Sequence, residues 1–268
     1  MKKALFVLSL CMVLAGLCGC SKGGRKKGVS VAEIKSRGRF VLGLDDSFPP
    51  LGFRDEDNKI VGYDIDLAQE VCKRLGVELV CQPIDWAAKE QELNTGKIDC
   101  IWNGFTMTAE RKEAMAFTKA YLDNAQVVVV RADSGIQSLA DMKGKVIGLQ
   151  AGSSAEEAVE ENAAFKSSVK QIIEFKENIT ALNDLEIKNV DGVVMDQVVA
   201  NYSISQTGKP YKVLPEGLAN EEYGVAFRKD DTELRDAVQR ILEEMQKDGT
   251  VKAISMKWFG TDLSVIGK

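Results

Sequence analysis

Apolar runs of strand length alternate with helix-like periodicity along most of the chain. In the first half, a helical pattern runs from Asp64 to Leu75 and a short helix from Ala87 to Leu93. The strand-like runs around them are Phe40 to Asp45, Val77 to Ile84 and Ile98 to Asn103. This alternation is typical of parallel sheets whose strands are joined by crossover helices. The pattern therefore predicts an α/β fold.

The second half of the chain repeats two pieces of the first. The segment Val146 to Gln150 (VIGLQ) matches Val41 to Asp45 (VLGLD), and Val190 to Val193 (VDGV) corresponds to Ile98 to Ile101 (IDCI). Both matches occur in the same order, as expected of a repeated structural unit. We therefore predict two α/β lobes of similar topology.

Two further strands are placed to connect these lobes. The run from Ala125 to Arg131 has no turn signal near its middle, as expected of a segment that crosses between lobes. After a short predicted strand from Tyr223 to Arg228, a helical stripe (residues 234–245) and a last helix through Trp258 and Phe259 follow. About 45 residues are too few for an independent core, so this end returns to the first lobe and creates a hinge of two crossing strands.

The N-terminus has the pattern of an export signal. Lys2 and Lys3 precede an apolar run from Ala4 to Leu17, which is shorter than the roughly 20 residues that span a bilayer. The tetrapeptide Leu17 to Cys20 (LCGC) resembles the lipobox of bacterial lipoproteins, which implies cleavage after residue 19 and a lipid on Cys20. The alternatives are a plain signal peptide and an uncleaved anchor. If Cys20 carries the lipid, residues 20–30 form a lipidated tether to the membrane.

Composition narrows the classes of function. The chain has 268 residues, 45% of them apolar, with 35 Lys and Arg, 40 Asp and Glu, and no His. The absence of His excludes Ser-His-Asp triads, Cys-His dyads and imidazole metal sites. A net charge of −5 without a clustered basic face argues against nucleic acid. We predict no metal site, no cofactor and a small-molecule or protein partner.

Three cysteines, Cys72, Cys81 and Cys100, remain in the body of the exported chain. Their spacing contains no CxxC motif, and one disulfide plus one free thiol is an open alternative. Because all three lie in apolar helical or strand patterns, we favour buried free thiols.

Polar and aromatic residues follow the predicted strands at their carboxyl ends. In open parallel sheets ligands bind beyond these ends, and a cleft between two lobes would collect them into one pocket. The positions are 45–48, Trp86, 103–108, 150–154 and 195–197.

The segment Thr106 to Arg111 (TMTAER) runs from a strand end into a helix. With Thr108 as N-cap, Arg111 lies in the first helical turn, where the helix dipole disfavours a cation. An anion between this Arg and the free N–H groups explains the arrangement, because a guanidinium fits a carboxylate through two hydrogen bonds. The alternative is a solvated surface Arg.

A second strand-to-helix turn, Gly152 to Glu157 (GSSAEE), offers the same anion further N–H and hydroxyl donors. Ser154 and Glu157 have capping-box spacing, so ordinary capping is the alternative. Asp196 follows an apolar strand and suits an ammonium group. Together, the cation of Arg111, the donor-rich turn and the carboxylate of Asp196 would form a binding site for a zwitterion. We expect both Arg111 and Asp196 to keep their charges across ordinary pH. An α-amino acid is the simplest ligand of that charge pattern.

The motifs together resemble the polar amino acid family of ABC-transporter solute-binding proteins. Gly62 to Leu67 (GYDIDL) matches the family signature. Four further segments match the family in the same order along the chain: the Thr-x-Thr-x-x-Arg turn, the turn at Gly152, the strand ending at Asp196 and the closing Lys257 to Gly260 (KWFG). The resemblance implies the type II periplasmic binding protein fold: α/β, with two Rossmann-like lobes, central mostly parallel sheets and two hinge strands.

The resemblance also implies residue roles. Arg111 would bind the ligand carboxylate, helped by Thr106 and the backbone at Ser153 or Ser154. Asp196 and the Gly104 carbonyl would bind the ligand ammonium. Phe48 and Trp86 would lie on either side of the ligand side chain. The residues that would determine specificity are Asp45, Asn103, Gln150 and Met195. These last residues favour a polar neutral or cationic side chain, and arginine-type, glutamine-type and cystine-type ligands stay open.

The family further implies lobes of residues 31–123 with 224–268 and of residues 126–218, hinged near 122–127 and 219–223. The expected protein is an extracytoplasmic monomer, anchored by lipid on Cys20, that delivers its ligand to the transmembrane subunits of an ABC permease. We predict no catalytic residue. The alternatives are an exported dehydratase-like enzyme, for which Asp45 is the one visible acid–base candidate, and a ligand-sensing lipoprotein of the same fold.

Overall fold

The computed structural model describes residues 28–268. Cys20, the predicted signal peptide and the predicted tether up to residue 27 therefore lie outside the described residues. The strands, in chain order, are β1 (Arg39–Leu44), β2 (Ser47–Phe48), β3 (Gly52–Arg54), β4 (Ile60–Val61), β5 (Glu78–Pro83), β6 (Cys100–Ile101), β7 (Met115–Phe117), β8 (Leu122–Arg131), β9 (Val146–Gln150), β10 (Gln171–Phe175), β11 (Gly192–Asp196), β12 (Tyr211–Val213), β13 (Ala219–Tyr223) and β14 (Ala226–Arg228).

Helices fill the connections between these strands. They are α1 (Val31–Arg37), α2 (Tyr63–Leu75), α3 (Lys89–Asn94), α4 (Ala109–Ala114), α5 (Ser154–Glu161), α6 (Ala163–Ser168), α7 (Asn178–Glu186), α8 (Gln197–Thr207), α9 (Thr232–Lys247) and α10 (Thr250–Phe259), with short 3₁₀ helices at Trp86–Ala88 and Leu139–Met142. Within residues 28–268, none of these helices combines the length and apolar character that a bilayer span requires.

Two large sheets organise the molecule. The first has the strand order β5-β1-β6-β14-β7, and the second has the order β10-β9-β11-β8-β12 with β13 also paired to β8. We call the first sheet, with its helices α1–α4, α9 and α10, unit 1, and the second sheet, with α5–α8, unit 2. In unit 1 β1 runs parallel to β5 and β6, and in unit 2 β9 runs parallel to β10 and β11. The predicted α/β class is confirmed, and antiparallel strands complete both sheets.

The internal repeat predicted from the sequence has a structural counterpart. β1 lies at the centre of the parallel strands of unit 1, and β9 holds the same place in unit 2. Asp99, just before β6, accepts a hydrogen bond from the Val41 N–H at 2.9 Å. Asp191, just before β11, accepts the equivalent bond from the Val146 N–H, also at 2.9 Å. The repeated Asp therefore ties each pair of parallel strands together in the same way.

The chain crosses between the units twice. β8 leaves unit 1 and runs through the second sheet, and β13 pairs antiparallel with its first half on the way back. β14 then enters the first sheet between β6 and β7. The prediction of one strand from Tyr223 to Arg228 is therefore wrong, because Tyr223 is the last residue of β13 and β14 begins at Ala226 in the other sheet. Between them the chain turns at Gly224, whose N–H donates to the Phe105 carbonyl at 3.0 Å.

The C-terminal helices pack on unit 1. The predicted apolar stripe of α9 is buried along its length, which removes a large apolar area from water. From α10, Lys257 Nζ and Trp258 Nε1 both donate to Asp66 of α2, at 2.6 and 2.7 Å. These contacts hold the end of the chain against the first half of the sequence.

The three cysteines of the described residues are free thiols. Cys72 and Cys100 are buried and Cys81 is half-buried. Burial raises the pKa of Cys72 to about 12 and of Cys81 to about 11, and it raises the pKa of Cys100 well above the ordinary value. The favoured prediction of buried free thiols is confirmed for Cys72 and Cys100, whereas Cys81 is a free thiol that is only half-buried. Each thiol stays protonated at ordinary pH.

Candidate functional site

A polar cavity lies between the two units, at the carboxyl ends of β1, β6, β9 and β11. Its position follows the general rule for open α/β sheets, in which the strand ends carry the ligand groups. Eleven of the twelve residues predicted for the site line it: Asp45, Phe48, Trp86, Asn103, Gly104, Thr106, Arg111, Gln150, Ser153, Ser154 and Asp196.

Met195 is the predicted residue that does not line the cavity. It is fully buried in the apolar core, in the same cluster as Val193. Successive side chains of a strand point to opposite faces, so the neighbours Met195 and Asp196 of β11 diverge. Asp196 therefore reaches the cavity while Met195 packs into the core.

Arg111 is held at the cavity by the start of α4. The Thr108 hydroxyl caps this helix by accepting from the Arg111 N–H at 3.4 Å, as predicted. The guanidinium lies 4.4 Å from the centre of the Phe105 ring and donates to the carbonyls of Thr106 at 3.1 Å and Gly152 at 3.3 Å. With 8% of its surface exposed, Arg111 is not the solvated surface residue of the alternative interpretation.

The charge of Arg111 is not paired with a carboxylate in a salt bridge among residues 28–268. Burial lowers its pKa, but a guanidinium stays protonated in proteins. Both of its side-chain partners are neutral carbonyls, and within residues 28–268 it forms no salt bridge. A buried cation without a carboxylate partner favours an anion in the cavity beside it.

The second strand-to-helix turn brings donors from unit 2. Gly152 adopts the left-handed conformation (φ +69°), Ser153 precedes α5, and Ser154 is the first residue of that helix. The Ser154 hydroxyl oxygen lies 3.0 Å from that of Thr106 in unit 1 and accepts from Gln126 Nε2 at 3.2 Å. This hydroxyl therefore links the units at the cavity wall.

The capping box predicted for Ser154 and Glu157 is wrong. Ser154 lies inside the helix rather than at its N-cap, so its hydroxyl is free to face the cavity. The carboxylate that turns back on this helix belongs to Glu156, which accepts from the Gly152 N–H at 3.1 Å.

Asp196 supplies the carboxylate predicted for an ammonium group. Its Oδ1 accepts from the Tyr223 hydroxyl at 2.6 Å and from Asn124 Nδ2 at 2.8 Å. Burial, reinforced by the charge of Glu221, raises the pKa of Asp196 to about 7. The expectation that Asp196 keeps its charge across ordinary pH is therefore wrong, because its ionised form is costly in this environment.

Glu221 was not predicted as part of the site, and neither were its partners on β8. Its Oε2 accepts from Asn124 at 2.8 Å, from Gln126 at 3.0 Å and from the Thr106 hydroxyl at 3.0 Å. The sequence of β8 does contain a signal for this cluster: the amide side chains of Asn124 and Gln126 are two residues apart and so lie on the same face of the strand. Glu221 and Tyr223 on β13 have the same spacing, and all four polar side chains meet beside Asp196.

The other end of the cavity is lined by Asp45 and its neighbours. Its Oδ2 accepts from Gln150 Nε2 of unit 2 at 2.7 Å, and its Oδ1 accepts from the Ser47 N–H at 2.9 Å. Burial raises the pKa of Asp45 to about 6, although both hydrogen bonds oppose the shift. Asn103 accepts from the Asp45 N–H at 3.0 Å, and its Nδ2 has no partner among residues 28–268, so a donor remains for a ligand.

Aromatic rings and a fixed turn complete the walls. Phe48 and Trp86 both line the cavity and are mostly buried. Gly104 has φ +58°, and its N–H donates to Asp64 Oδ2 at 2.7 Å, with the Tyr121 hydroxyl donating to the same oxygen at 2.9 Å. Asp64 belongs to the GYDIDL motif, so the motif fixes the turn whose carbonyl was assigned to the ammonium group.

Residues 28–268 provide the cavity with one buried cation, two buried carboxylates and several uncharged donors and acceptors. This combination suits a small zwitterion with a polar or cationic extension. The two repeated α/β units with a polar cavity between their strand ends define the type II periplasmic binding protein class. The chain belongs to the family described as bacterial extracellular solute-binding proteins, family 3, whose profile matches residues 40–261.

Relatives and solved structures agree with this assignment. The chain is 32% identical over 234 residues to the L-cystine-binding protein TcyJ of Escherichia coli (strain K12), covering 87% of this chain and 86% of the relative. It is 39% identical, with a TM-score of 0.85, to an ABC uptake transporter substrate-binding protein from Streptococcus pneumoniae with bound histidine, covering 87% and 97% of the two chains. The structure of Tv2483 bound to L-arginine is 36% identical with a TM-score of 0.85, covering 88% and 97%.

Proposed function

We propose that this protein is the extracytoplasmic substrate-binding component of an amino acid ABC importer. Its ligand is an L-amino acid with a polar or cationic side chain, or cystine, bound in the cavity between the units. Family membership and relatives that bind cystine, histidine and arginine support this function.

One observation carries the proposal: Arg111, buried with no carboxylate partner among residues 28–268, lines the same cavity as the carboxylate of Asp196. The ligand carboxylate binds the guanidinium of Arg111 and the donors of the Ser153–Ser154 turn. The ligand ammonium binds Asp196 and the Gly104 carbonyl. Each ligand charge then meets a desolvated group of opposite charge, the most favourable setting for a hydrogen-bonded ion pair.

The side chain of the ligand lies between Phe48 and Trp86 and points towards Asp45, Asn103 and Gln150. Asp45 accepts a cationic or hydrogen-bond-donating end, and Asn103 Nδ2 supplies a free donor. Among residues 28–268, no Arg or Lys lines this end of the cavity. An acidic ligand side chain is therefore disfavoured, because it would meet the carboxylate of Asp45 without a counter-charge.

Ligand binding closes the two units on each other. The lobes are residues 31–123 with 224–268 and residues 126–218, hinged near 122–127 and 219–223. Hydrogen bonds across the cavity, between the Thr106 and Ser154 hydroxyls and from Gln150 to Asp45, belong to the closed arrangement. A ligand that contacts both lobes binds this arrangement more tightly and so shifts the population towards it. The closed form delivers the ligand to the permease.

The LCGC sequence supports processing to a lipoprotein, with residues 1–19 removed and the mature chain anchored outside the cytoplasm through Cys20. The importer role does not depend on this anchor.

A ligand panel tests the function. Calorimetric titration of the protein with the twenty common amino acids and with cystine gives micromolar or tighter binding for at least one of them. If none of these compounds binds, the transport role is contradicted. Mass spectrometry of the ligand released after prolonged incubation distinguishes the dehydratase-like alternative, because a binding protein returns the amino acid chemically unchanged.

A further inference from the structure

Lys89 is a buried cation at the boundary between the units. It begins α3 in unit 1 and is 4% exposed. Its Nζ donates to the Gly152 carbonyl of unit 2 at 2.7 Å and to the Trp86 carbonyl at 3.2 Å. The same Nζ lies 5.3 Å from the centre of the Trp86 ring and 5.9 Å from that of Phe105.

Lys89 and Arg111 share one acceptor. Arg111 Nη2 also donates to the Gly152 carbonyl, at 3.3 Å. Residues 28–268 supply a salt bridge to neither cation, so two desolvated positive charges meet at a neutral oxygen. Like charges that are buried together without a counter-ion destabilise the arrangement that buries them.

The protonation of Lys89 reflects this environment. Burial, with a further contribution from Arg111, lowers the pKa of Lys89 to about 8. Glu90 of α3 and Glu156 of α5 act in the opposite direction but do not compensate for the burial. The charged form of Lys89 is therefore disfavoured when the units are together, relative to a lysine in water.

Unit 2 completes the burial of Lys89. A Cβ placed on Gly152 would lie 3.1 Å from Ala87 Cα and 3.5 Å from Lys89 Nζ, so the two turns are in direct contact. When the units separate, the Gly152 turn and its carbonyl move away and water reaches the ammonium. The desolvation of Lys89 is thus a cost of closure itself.

We propose that Lys89 makes closure of the cleft conditional on an anionic group in the cavity. Without an anion, its buried charge beside Arg111 opposes closure; a ligand carboxylate compensates both cations and removes the opposition. This inference rests on the proposed function. Lys89 acts through closure rather than by contact with the ligand, so it is a positioning residue that adds discrimination against amino acid analogues lacking the carboxylate.

Closure of the ligand-free protein tests the proposal without any knowledge of the ligand. Lys89→Gln keeps a hydrogen-bond donor but removes the charge, and Lys89→Met removes both. Small-angle X-ray scattering, or energy transfer between dyes on the two units, should show a larger closed population for both variants than for the wild type. Lys35→Met, at an exposed position of α1, is the matched control and should leave the distribution unchanged.

Discrimination provides the second readout. Binding of L-arginine and L-histidine is compared with that of L-argininamide and L-histidinamide, in which a neutral amide replaces the carboxylate. The wild type should prefer the amino acid by about 100-fold or more, and both Lys89 variants should reduce this preference by about tenfold, mainly through tighter binding of the amide. Thermal unfolding verifies that each variant is folded.

The outcomes separate the two proposals. If the wild type binds no amino acid, the proposed function fails, and the scattering experiment still decides the effect of Lys89 on closure. If amino acids bind but the variants keep the wild-type closed population and the wild-type preference, the inference is overturned. A more open ligand-free population in Lys89→Gln and Lys89→Met also overturns it, because Lys89 would then favour closure.

Discussion

Gln150 donates its side-chain Nε2 to Asp45 Oδ2 at 2.7 Å, although the two residues are 105 positions apart and end strands of different sheets. Both residues are buried. The same Nε2 donates to the Lys176 carbonyl at 3.0 Å, which holds the amide in place within unit 2. The bond therefore joins unit 2 to the carboxylate at the proposed side-chain end of the ligand.

A double-mutant cycle on this pair measures its part in binding. Asp45→Asn, Gln150→Ala and the double variant should each bind the amino acid ligand less tightly than the wild type. Because the residues contact only when the units are together, the effects should be non-additive by about 1 kcal/mol in the binding free energy. Calorimetric titration of the four proteins gives this coupling. Additive effects would mean that the bond does not contribute to the bound state.

Removal of Arg111 should abolish most of the affinity. Arg111→Ala leaves the ligand carboxylate desolvated without a partner, so the binding free energy should weaken on the order of 3 kcal/mol or more. Calorimetric titration with the amino acids identified by the panel measures the loss. Arg39→Ala, at an exposed position of β1, is the control and should bind normally. Near-normal binding by Arg111→Ala would place the carboxylate elsewhere.

Affinity should fall as the solution becomes acidic. A ligand ammonium binds the ionised form of Asp196, whose pKa burial raises to about 7, so a proton competes with the ligand below that pH. Affinity should therefore decrease by up to about tenfold per pH unit below pH 7.

Two variants test whether Asp196 causes this pH dependence. Asp196→Asn should bind weakly and should lose the part of the pH dependence that is centred near pH 7. Tyr223→Phe removes a hydrogen bond that lowers the pKa of Asp196, so it should shift the midpoint upwards. Titrations between pH 5 and 9 give both profiles, and a midpoint unmoved in Tyr223→Phe would contradict the assignment.

The stability of the ligand-free protein should depend on pH in the opposite direction. Burial raises the pKa of Asp64 from 3.8 to about 7, so the folded state holds this proton more tightly than the unfolded chain. Its contribution to the free energy of unfolding is therefore greatest below about pH 4 and is lost as the pH rises to about 7. Asp64→Asn should reduce the pH dependence of the melting temperature in this window by about 2 °C or more. Asp57→Asn, at an exposed site, should not.

Gly104 should tolerate no side chain. Its φ is +58°, and a Cβ would lie 2.5 Å from Leu51 Cδ1 and 3.0 Å from Phe48 Cε1. Gly104→Ala should destabilise the fold by about 3 kcal/mol, from backbone strain and overpacking together, and should weaken ligand binding. Gly96 has φ +78° with open space around it, so Gly96→Ala should cost only about 1 kcal/mol. Equal melting temperatures for the two variants would contradict the packing argument.

The sequence was sufficient for features with a local pattern. The repeat of β1 and β9, the α2 and α9 stripes and the cap at Thr108 were all predictable, because apolar spacing and capping chemistry act over a few residues. The same applies to the strand ends, which the fold gathers into one cavity.

Features that depend on pairing between distant segments were not predictable. β11 is buried on both faces, so it is a continuous apolar run, and no alternation distinguishes the face of Met195 from that of Asp196. The contacts of Glu221 with Asn124 and Gln126 require the register of β13 on β8, which no local signal specifies. The burial of Lys89 was likewise not predictable from the sequence, because it depends on the Gly152 turn of unit 2.

The insertion of β14 between β6 and β7 constrains how the chain can assemble. Among residues 28–268, the strands of residues 100–101 and 115–117 are joined through Ala226, which pairs with Ile101 on one side and Phe117 on the other. Until more than four-fifths of the chain has emerged, the first sheet is divided and both strands present unpaired edges. Such non-local closure is slow, and open strand edges invite aggregation. A chain released before residue 226 would therefore lack the seam of its first sheet, however complete its second sheet had become.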